Sequence, residues 1–172
     1  DQDKAIKLAT EIINSFEKRY EEKWLNMMRD KLGLFGIDEK DKFLILDLLT
    51  WMHQKKVDYT NTFCHLMDFN IDNNKEFEGN DFKNWKKRWQ ERLLKNNSSP
   101  QKYMKLMRSV NPLVIPRNHK VEEALNEANK NNLEPLKKLL NILNKPYLEQ
   151  KEILDYQIPS STNNKYQTFC GT

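Results

Sequence analysis

Glycine is almost missing from this chain: 172 residues hold only Gly33, Gly36, Gly79 and Gly171. No glycine-rich phosphate loop of the usual spacings can be built from these, because such loops converge several backbone amides through closely spaced glycines. The strings G-K-[ST], H-R-D and D-F-G are missing as well, so the chain carries no recognisable nucleotide site of its own. Cysteine is nearly as scarce. Cys64 and Cys170 are too few for a disulfide framework and lack metal-site spacing, which fits a reducing cytoplasm. No apolar run approaches the roughly 20 residues of a membrane span, and the first residues lack the apolar centre of a secretory signal. Charge of one sign is not concentrated anywhere: 29 basic and 25 acidic residues are interspersed for a net +4. That pattern argues against a nucleic-acid-binding tail, and the missing span argues against a membrane partner.

What is present is amphipathic. The hydrophobic fraction is 38% and the charged fraction 31%, the composition of thin helices with broad wet faces. Apolar residues recur every three or four positions nearly throughout, and no stretch alternates strictly in β-branched residues. The expected fold is all-α, an irregular array of about 6–8 helices within one domain's length. Helical periodicity covers residues 1–156, and 157–172 reads as an extended polar tail; no repeat or interdomain linker is visible. The chain starts at Asp1 without a methionine and is helix-like almost at once, which suggests a piece of a longer protein.

The first helix should run from Asp3 to Lys31, with Ala5, Leu8, Ile12, Phe16 and Tyr20 on its apolar period, and stop at Gly33 and Gly36. Asp38 can cap a second, deeply buried helix carrying Leu44, Leu48 and Trp51. "DYTNTFCHLMDF" reads as a short third helix and "NIDNNKEFEGND" as a polar loop. Asp81 can cap a helix with Phe82, Trp85, Trp89 and Leu93 on one face, and Ser99-Pro100 opens the next. Val121, Ala124, Leu125 and Ala128 mark a further helix; Leu136, Leu139, Leu140 and Leu143 mark another.

Several stretches could carry chemistry, and each has a plainer reading. Trp85 and Trp89 among Lys86, Lys87 and Arg88 could stack bases, but four-residue spacing puts both tryptophans on the core stripe. Asp68-x-Asn70-x-Asp72 begins like a calcium loop, yet Asn73 stands where that loop needs glycine and Gly79 where it needs glutamate. Cys64 and His65 are adjacent and so point about 100° apart on a helix, and His53 and His119 lack a partner one turn away. No metal site is expected.

The stretch "NPLVIPRNHKVEEAL" is the most distinctive. Pro112 and Pro116 push Asn111 and Ile115 toward extended backbone, making a stiff connector. Asn118 is a favoured N-cap, with Glu122 and Glu123 near the first turn. Arg117 and His119 are not required by capping; they read as anchors of the connector or of a contact with a missing domain.

These residues also carry a resemblance. "MRSVNPLVIPRNHKVEEAL", "LNKPY" and the ending "QTFCGT", with "MMRDKLGL", "DYTNTF" and "WKKRWQERL" in the same order before them, resemble the C-terminal part of the selenoprotein O family, bacterial YdiU-like proteins included. The resemblance implies a larger kinase-like parent, a pseudokinase by appearance, that transfers AMP from ATP to Ser, Thr or Tyr hydroxyls of proteins. It implies ATP and Mg²⁺ or Mn²⁺ as cofactors of that parent. The catalytic and cofactor-binding residues would lie outside this chain, in an N-terminal kinase-like domain that would be its chief partner, so none is assigned here. The string Asn111, Pro112, Pro116, Arg117, Asn118 and His119 then becomes a scaffold signature. Cys170, third from the end, matches the position of a redox-active residue in the family, and its implied role is to pair with a cysteine near the kinase-like centre, with Cys64 as the lesser, local alternative. One departure stands out: where the family has arginine soon after "DYTNTF", this chain has Cys64-His65, which puts that arginine's role in doubt here. The competing reading is a free-standing helical interaction module without catalysis.

Overall fold

The computed structural model describes residues 1–69 and 75–160. Among them lie eight α-helices, one 3-10 turn and no strand, as the apolar period requires. The helices are α1 (Gln2–Lys31), α2 (Asp41–Lys55), α3 (Tyr59–Leu66), α4 (Asn80–Leu94), α5 (Pro100–Val110), α6 (Asn118–Asn129), α7 (Glu134–Leu143) and α8 (Leu154–Gln157), with the 3-10 turn at Lys75–Glu78. The described residues divide into two compact units, one of 1–57 and 75–111, the other of 58–69 and 112–160.

In the first unit α1 ends where glycine allows it. Gly33 takes φ +69°, its amide bonds to the Asp30 carbonyl at 3.0 Å, and the Leu34 amide bonds to the Arg29 carbonyl at 2.9 Å. This left-handed closure satisfies carbonyls that the last helical turn leaves open. A Cβ at Gly33 would also meet the Met107 side chain of α5 at 3.0 Å, so substitution there would strain the backbone and press on Met107. α2 closes similarly, with Lys56 in the left-handed region.

The core of this unit is aromatic. Phe82, Trp85, Trp89 and Leu93 all face inward along α4, each 6% exposed or less. The ring centroids of Trp85 and Trp89 are 6.0 Å apart, Phe82 and Trp85 5.8 Å, and Phe82 and Trp51 of α2 4.7 Å. The indole of Trp85 donates to the Leu44 carbonyl at 2.8 Å and that of Trp89 to the Leu32 carbonyl at 2.9 Å, so neither buried N–H loses its partner. Burying side chains of this size contributes about 2–3 kcal/mol each. Leu44, Ile45, Leu48, Trp51 and Met52 make α2 deeply buried on one face, whereas Phe43 is 68% exposed.

Three local expectations fail here. The stretch expected as a polar loop holds a 3-10 turn that buries Phe77 against Trp51 (5.6 Å) and Phe82 (5.0 Å), because one large aromatic side chain outweighs its polar neighbours. Asp81 does not cap α4: the chain is already helical at Asn80 behind Gly79, and Asp81 instead pairs with Lys55 at 3.1 Å. Asp38 does not cap α2 either. It makes the preceding turn, accepting from the Lys40 amide at 2.9 Å, and Lys40 stands at the cap.

In the second unit α6 and α7 form a helical hairpin turned by Asn131 at φ +63°, with Ala124, Leu139 and Ile142 buried. α3 contributes Phe63, Cys64, Leu66 and Met67 to the core, all nearly inaccessible. Gln157, expected at the head of the polar tail, is the last residue of α8 and only 3% exposed, because its side-chain amide and its backbone carbonyl both find partners inside the unit.

Candidate functional site

The two prolines of the connector between α5 and α6 act as their chemistry dictates. Asn111 ends α5 in extended backbone (φ −105°, ψ 108°), and its Nδ2 donates to the Lys31 carbonyl of the first unit at 2.9 Å. In the second unit Leu113 and Val114 are buried, and the Leu113 amide donates to the Pro146 carbonyl at 2.7 Å. The Cys64 thiol lies 3.6 Å from the Pro112 carbonyl. Pro116 is exposed.

Arg117 is the hub. Its Nη1 donates to Asp58 Oδ2 at 2.5 Å and its Nη2 to Asp58 Oδ1 at 2.9 Å, a two-armed grip matched to the flat guanidinium. Nη2 reaches further, to Asn61 Oδ1 at 3.2 Å and the Gln157 carbonyl at 3.0 Å. Asn61 Nδ2 donates to that same carbonyl at 3.3 Å, and Gln157 Nε2 donates to the Leu113 carbonyl at 2.7 Å. Asp58 works twice: it is also the N-cap of α3, accepting from the Asn61 amide at 2.8 Å. Burial pushes the Asp58 carboxyl up, but the Arg117 guanidinium and the Asn61 amide outweigh it and hold the group below its ordinary 3.8. The clasp therefore ties the start of α3, the start of α6 and the end of α8 together with a balanced pair of charges.

Asn118 and His119 stand beside this clasp. Asn118 is exposed and is the first residue of α6 rather than its cap. The cap place belongs to Arg117, whose extended backbone (φ −66°, ψ 128°) turns its carbonyl to the amides of Lys120 (2.9 Å) and Val121 (3.0 Å). His119 is half-buried; burial, with the charges of Lys120 and Arg117, pulls its imidazole below the usual 6.5. The Lys120 ammonium sits over the Tyr156 ring at 5.6 Å.

The first unit has its own buried charge cluster. Asp41, wholly buried at the start of α2, accepts from Arg29 Nε at 2.8 Å and from Arg92 Nε at 2.7 Å. Arg92 also donates to Asn96 Oδ1 at 3.1 Å and the Phe35 carbonyl at 3.2 Å, so the pair staples the α1–α2 loop to α4. Burial raises Asp41, and hydrogen bonds from Arg92 and Arg29 more than reverse it, leaving the carboxyl below 3.8. A groove of about 490 Å³ beside it is lined by Phe43, Leu44, Arg88 and Lys95 among others. Two of the basic residues on its rim are paired, Arg88 with Asp47 at 2.7 Å and Lys95 with Asp38 at 3.0 Å.

Neither cluster fits a triphosphate or a divalent metal, because the carboxylates of buried Asp41 and half-buried Asp58 are committed to arginines and those arginines to them. Among the described residues no three His, Cys, Asp or Glu side chains converge in a way that would hold a metal ion. No described helix is long and apolar enough to cross a membrane. Cys170 lies outside the described residues, as do Asn70 and Asp72 of the calcium-like string.

Asp58, Asn61 and Gln157, and in the first unit Arg29, Asp41 and Arg92, were not singled out from the sequence, although a signal existed for some of them. Arg92 is seven residues after Trp85 and Asp41 seven before Leu48, so each charge sits on an apolar stripe, the mark of a buried ion pair. Asp58 followed three residues later by Asn61 is a cap-like spacing. Gln157 offered no local signal, since its partners are 40, 44 and 96 residues away.

Comparison with known proteins adds the following. The family model described as "Protein adenylyltransferase SelO" matches residues 4–144. The protein nucleotidyltransferase YdiU of Pelagibacter ubique is 52% identical over 173 residues, covering 100% of this chain and 36% of its own length. The protein of the same name from Alcanivorax borkumensis is 44% identical, covering 99% and 36%, and that from Clostridium botulinum is 46% identical, covering 98% and 35%. The chain thus spans about 36% of the length of such curated relatives.

Proposed function

This chain belongs to the protein adenylyltransferase SelO family, and on that premise we propose that it is the helical C-terminal region of an enzyme that transfers AMP from ATP to Ser, Thr or Tyr hydroxyls of proteins. Its own share of that work is to scaffold and regulate. ATP and its Mg²⁺ or Mn²⁺ are held by the rest of the polypeptide, the kinase-like part of a pseudokinase, and protein substrates meet that part. The observation that carries this reading is the clasp: the most conspicuous string of the chain aims Arg117 at Asp58, Asn61 and Gln157 of its own unit rather than at open solvent. An arginine engaged in this way positions backbone and is not available to grip a phosphate.

Regulation belongs to Cys170 in this reading, through thiol-disulfide exchange with a cysteine of the kinase-like part. Its support is the resemblance of the "QTFCGT" ending, together with the burial of Cys64, which at 0% exposure is a poor local partner. A bacterial cytoplasmic setting goes with it.

The test uses the full-length protein. Labelled AMP should appear on a protein acceptor only with ATP and a divalent metal. Arg117→Ala should lower the thermal midpoint while leaving the dissociation constant for ATP unchanged. A loss of ATP affinity at preserved stability would overturn the scaffold reading. Reductant should change the transfer rate, and Cys170→Ser should abolish that change.

A further inference from the structure

The outward side of α1 poses a question that the first unit does not answer. Ile6, Ile12, Ile13, Phe16 and Tyr20 are 56–70% exposed, and the rings of Phe16 and Tyr20 stack with centroids 6.1 Å apart. At about 100° per residue these five side chains fall within an arc of about 120°, so they form one continuous stripe. The same helix is covered only near its end: Met28, Arg29 and Lys31 are buried in the first unit, whereas residues 1–23 are exposed apart from half-buried Ser15. Met28 and Arg29 point roughly 140° around the helix from the centre of the stripe, while Lys31 lies within the stripe's own arc, so the unit surrounds the last turn and leaves the stripe uncovered along the rest of the helix. Met27, 46% exposed, continues the stripe toward that end.

The five side chains expose on the order of 600 Å² of largely apolar surface, as much as the largest patch of a typical monomer. Area distinguishes the possible covers. A stable interface between separate molecules takes about 800 Å² per partner and must also overcome roughly 4–15 kcal/mol of lost translational and rotational freedom. A segment of the same polypeptide escapes most of that loss, so a face of this size is enough for it. The relatives carry nearly two thirds of their length outside the part matched by this chain, which is ample polypeptide to supply the cover. Charge adds a constraint: Arg19 and Lys23 stand along one edge of the stripe and make no ion pair among the described residues.

We propose that the outward stripe of α1 is the seat of a surface from the remaining part of the same polypeptide, apolar at its centre and carrying carboxylates opposite Arg19 and Lys23. The proposal rests on the family reading only in taking the chain to be part of a longer protein like its relatives; it does not depend on AMP transfer.

The test is photo-crosslinking in the full-length protein with Phe16→p-benzoylphenylalanine, an aromatic replacement at an exposed site. The expected product runs at the mass of one chain, and mass spectrometry maps the link to a residue outside the 172 of this sequence. The same probe at Lys7, on the far side of the helix, should lose that link. A product of twice the mass would assign the stripe to a second copy and overturn the proposal, as would a link back into residues 25–160, or no link at all. Transfer of AMP by the unsubstituted protein is measured in parallel. Its failure would refute the adenylylation reading and leave the crosslinking result standing.

Discussion

Arg117 and Asp58, 59 residues apart in sequence, meet through two parallel hydrogen bonds of 2.5 and 2.9 Å, with side-chain exposures of only 11% and 18%. The pair holds three chain segments through one guanidinium. Arg117→Ala leaves the Asp58 carboxylate half-buried without its cation and takes from the Gln157 carbonyl the shorter of the two bonds it accepts from Arg117 and Asn61, at a cost of about 3 kcal/mol. Arg117→Lys should recover less than half of this, since an ammonium cannot supply the second arm. Urea denaturation of the three proteins checks both numbers.

Acid should act through the same group. The folded-state pKa values of Asp58 and Asp41 are held below 3.8, so each contributes stability that is complete above that value and is lost as pH falls through the lower folded one. Stability should be flat in this respect from pH 7 to 5 and fall steeply below about 4. Asp58→Asn, which keeps a capping side chain, should make the fall shallower. A denaturation series from pH 6 to 2 gives the slopes.

The buried cluster around Asp41 predicts an order of effects. Asp41→Ala leaves two buried guanidinium groups facing each other and should cost most, about 4–5 kcal/mol. Arg92→Met removes two of the bonds to Asp41 and should come second. Arg29→Met should be mildest, because Arg92 still neutralises the carboxylate. Reversal of this order in urea melts would mean that the cluster is not organised around Asp41.

Phe77→Ala should cost about 3 kcal/mol, the cost of removing a core phenylalanine, whereas Lys75→Ala at the exposed start of the same 3-10 turn should change stability by less than about 0.5 kcal/mol. Thermal melts of the two variants compare them directly.

Cys64 should resist alkylation in the native protein and react once it is unfolded, since its thiol is wholly inaccessible. Mass spectrometry of the Cys64 peptide before and after urea measures the difference.

Helix identity was legible because period alone settles it: the Phe82, Trp85, Trp89, Leu93 stripe could face nowhere but inward, and it does. Boundaries were less so. Asp38 and Asp81 have the chemistry of caps, yet the backbone turned helical three residues after the first and one residue before the second, and that choice is made by the packing of the whole helix rather than by one side chain. The signature string was legible as a connector through Pro112 and Pro116, while the partners of Arg117 were not. Asp58, Asn61 and Gln157 reach it only after the chain has folded back on itself, and no local pattern encodes a contact across 40 to 59 residues.

That long reach has a kinetic consequence. Through Arg117 the second unit closes loops of 59 and 40 residues, and such closures raise contact order and slow folding. The first unit needs nothing beyond Asn111, but the second cannot finish until Gln157 has been synthesised. During translation α3 must therefore wait, with Phe63 and Met67 uncovered, while about ninety further residues emerge at ~5–20 residues per second. The Gln157 arm of the clasp thus cannot close until then, and the interval before it does leaves the nascent chain exposed to aggregation and proteolysis.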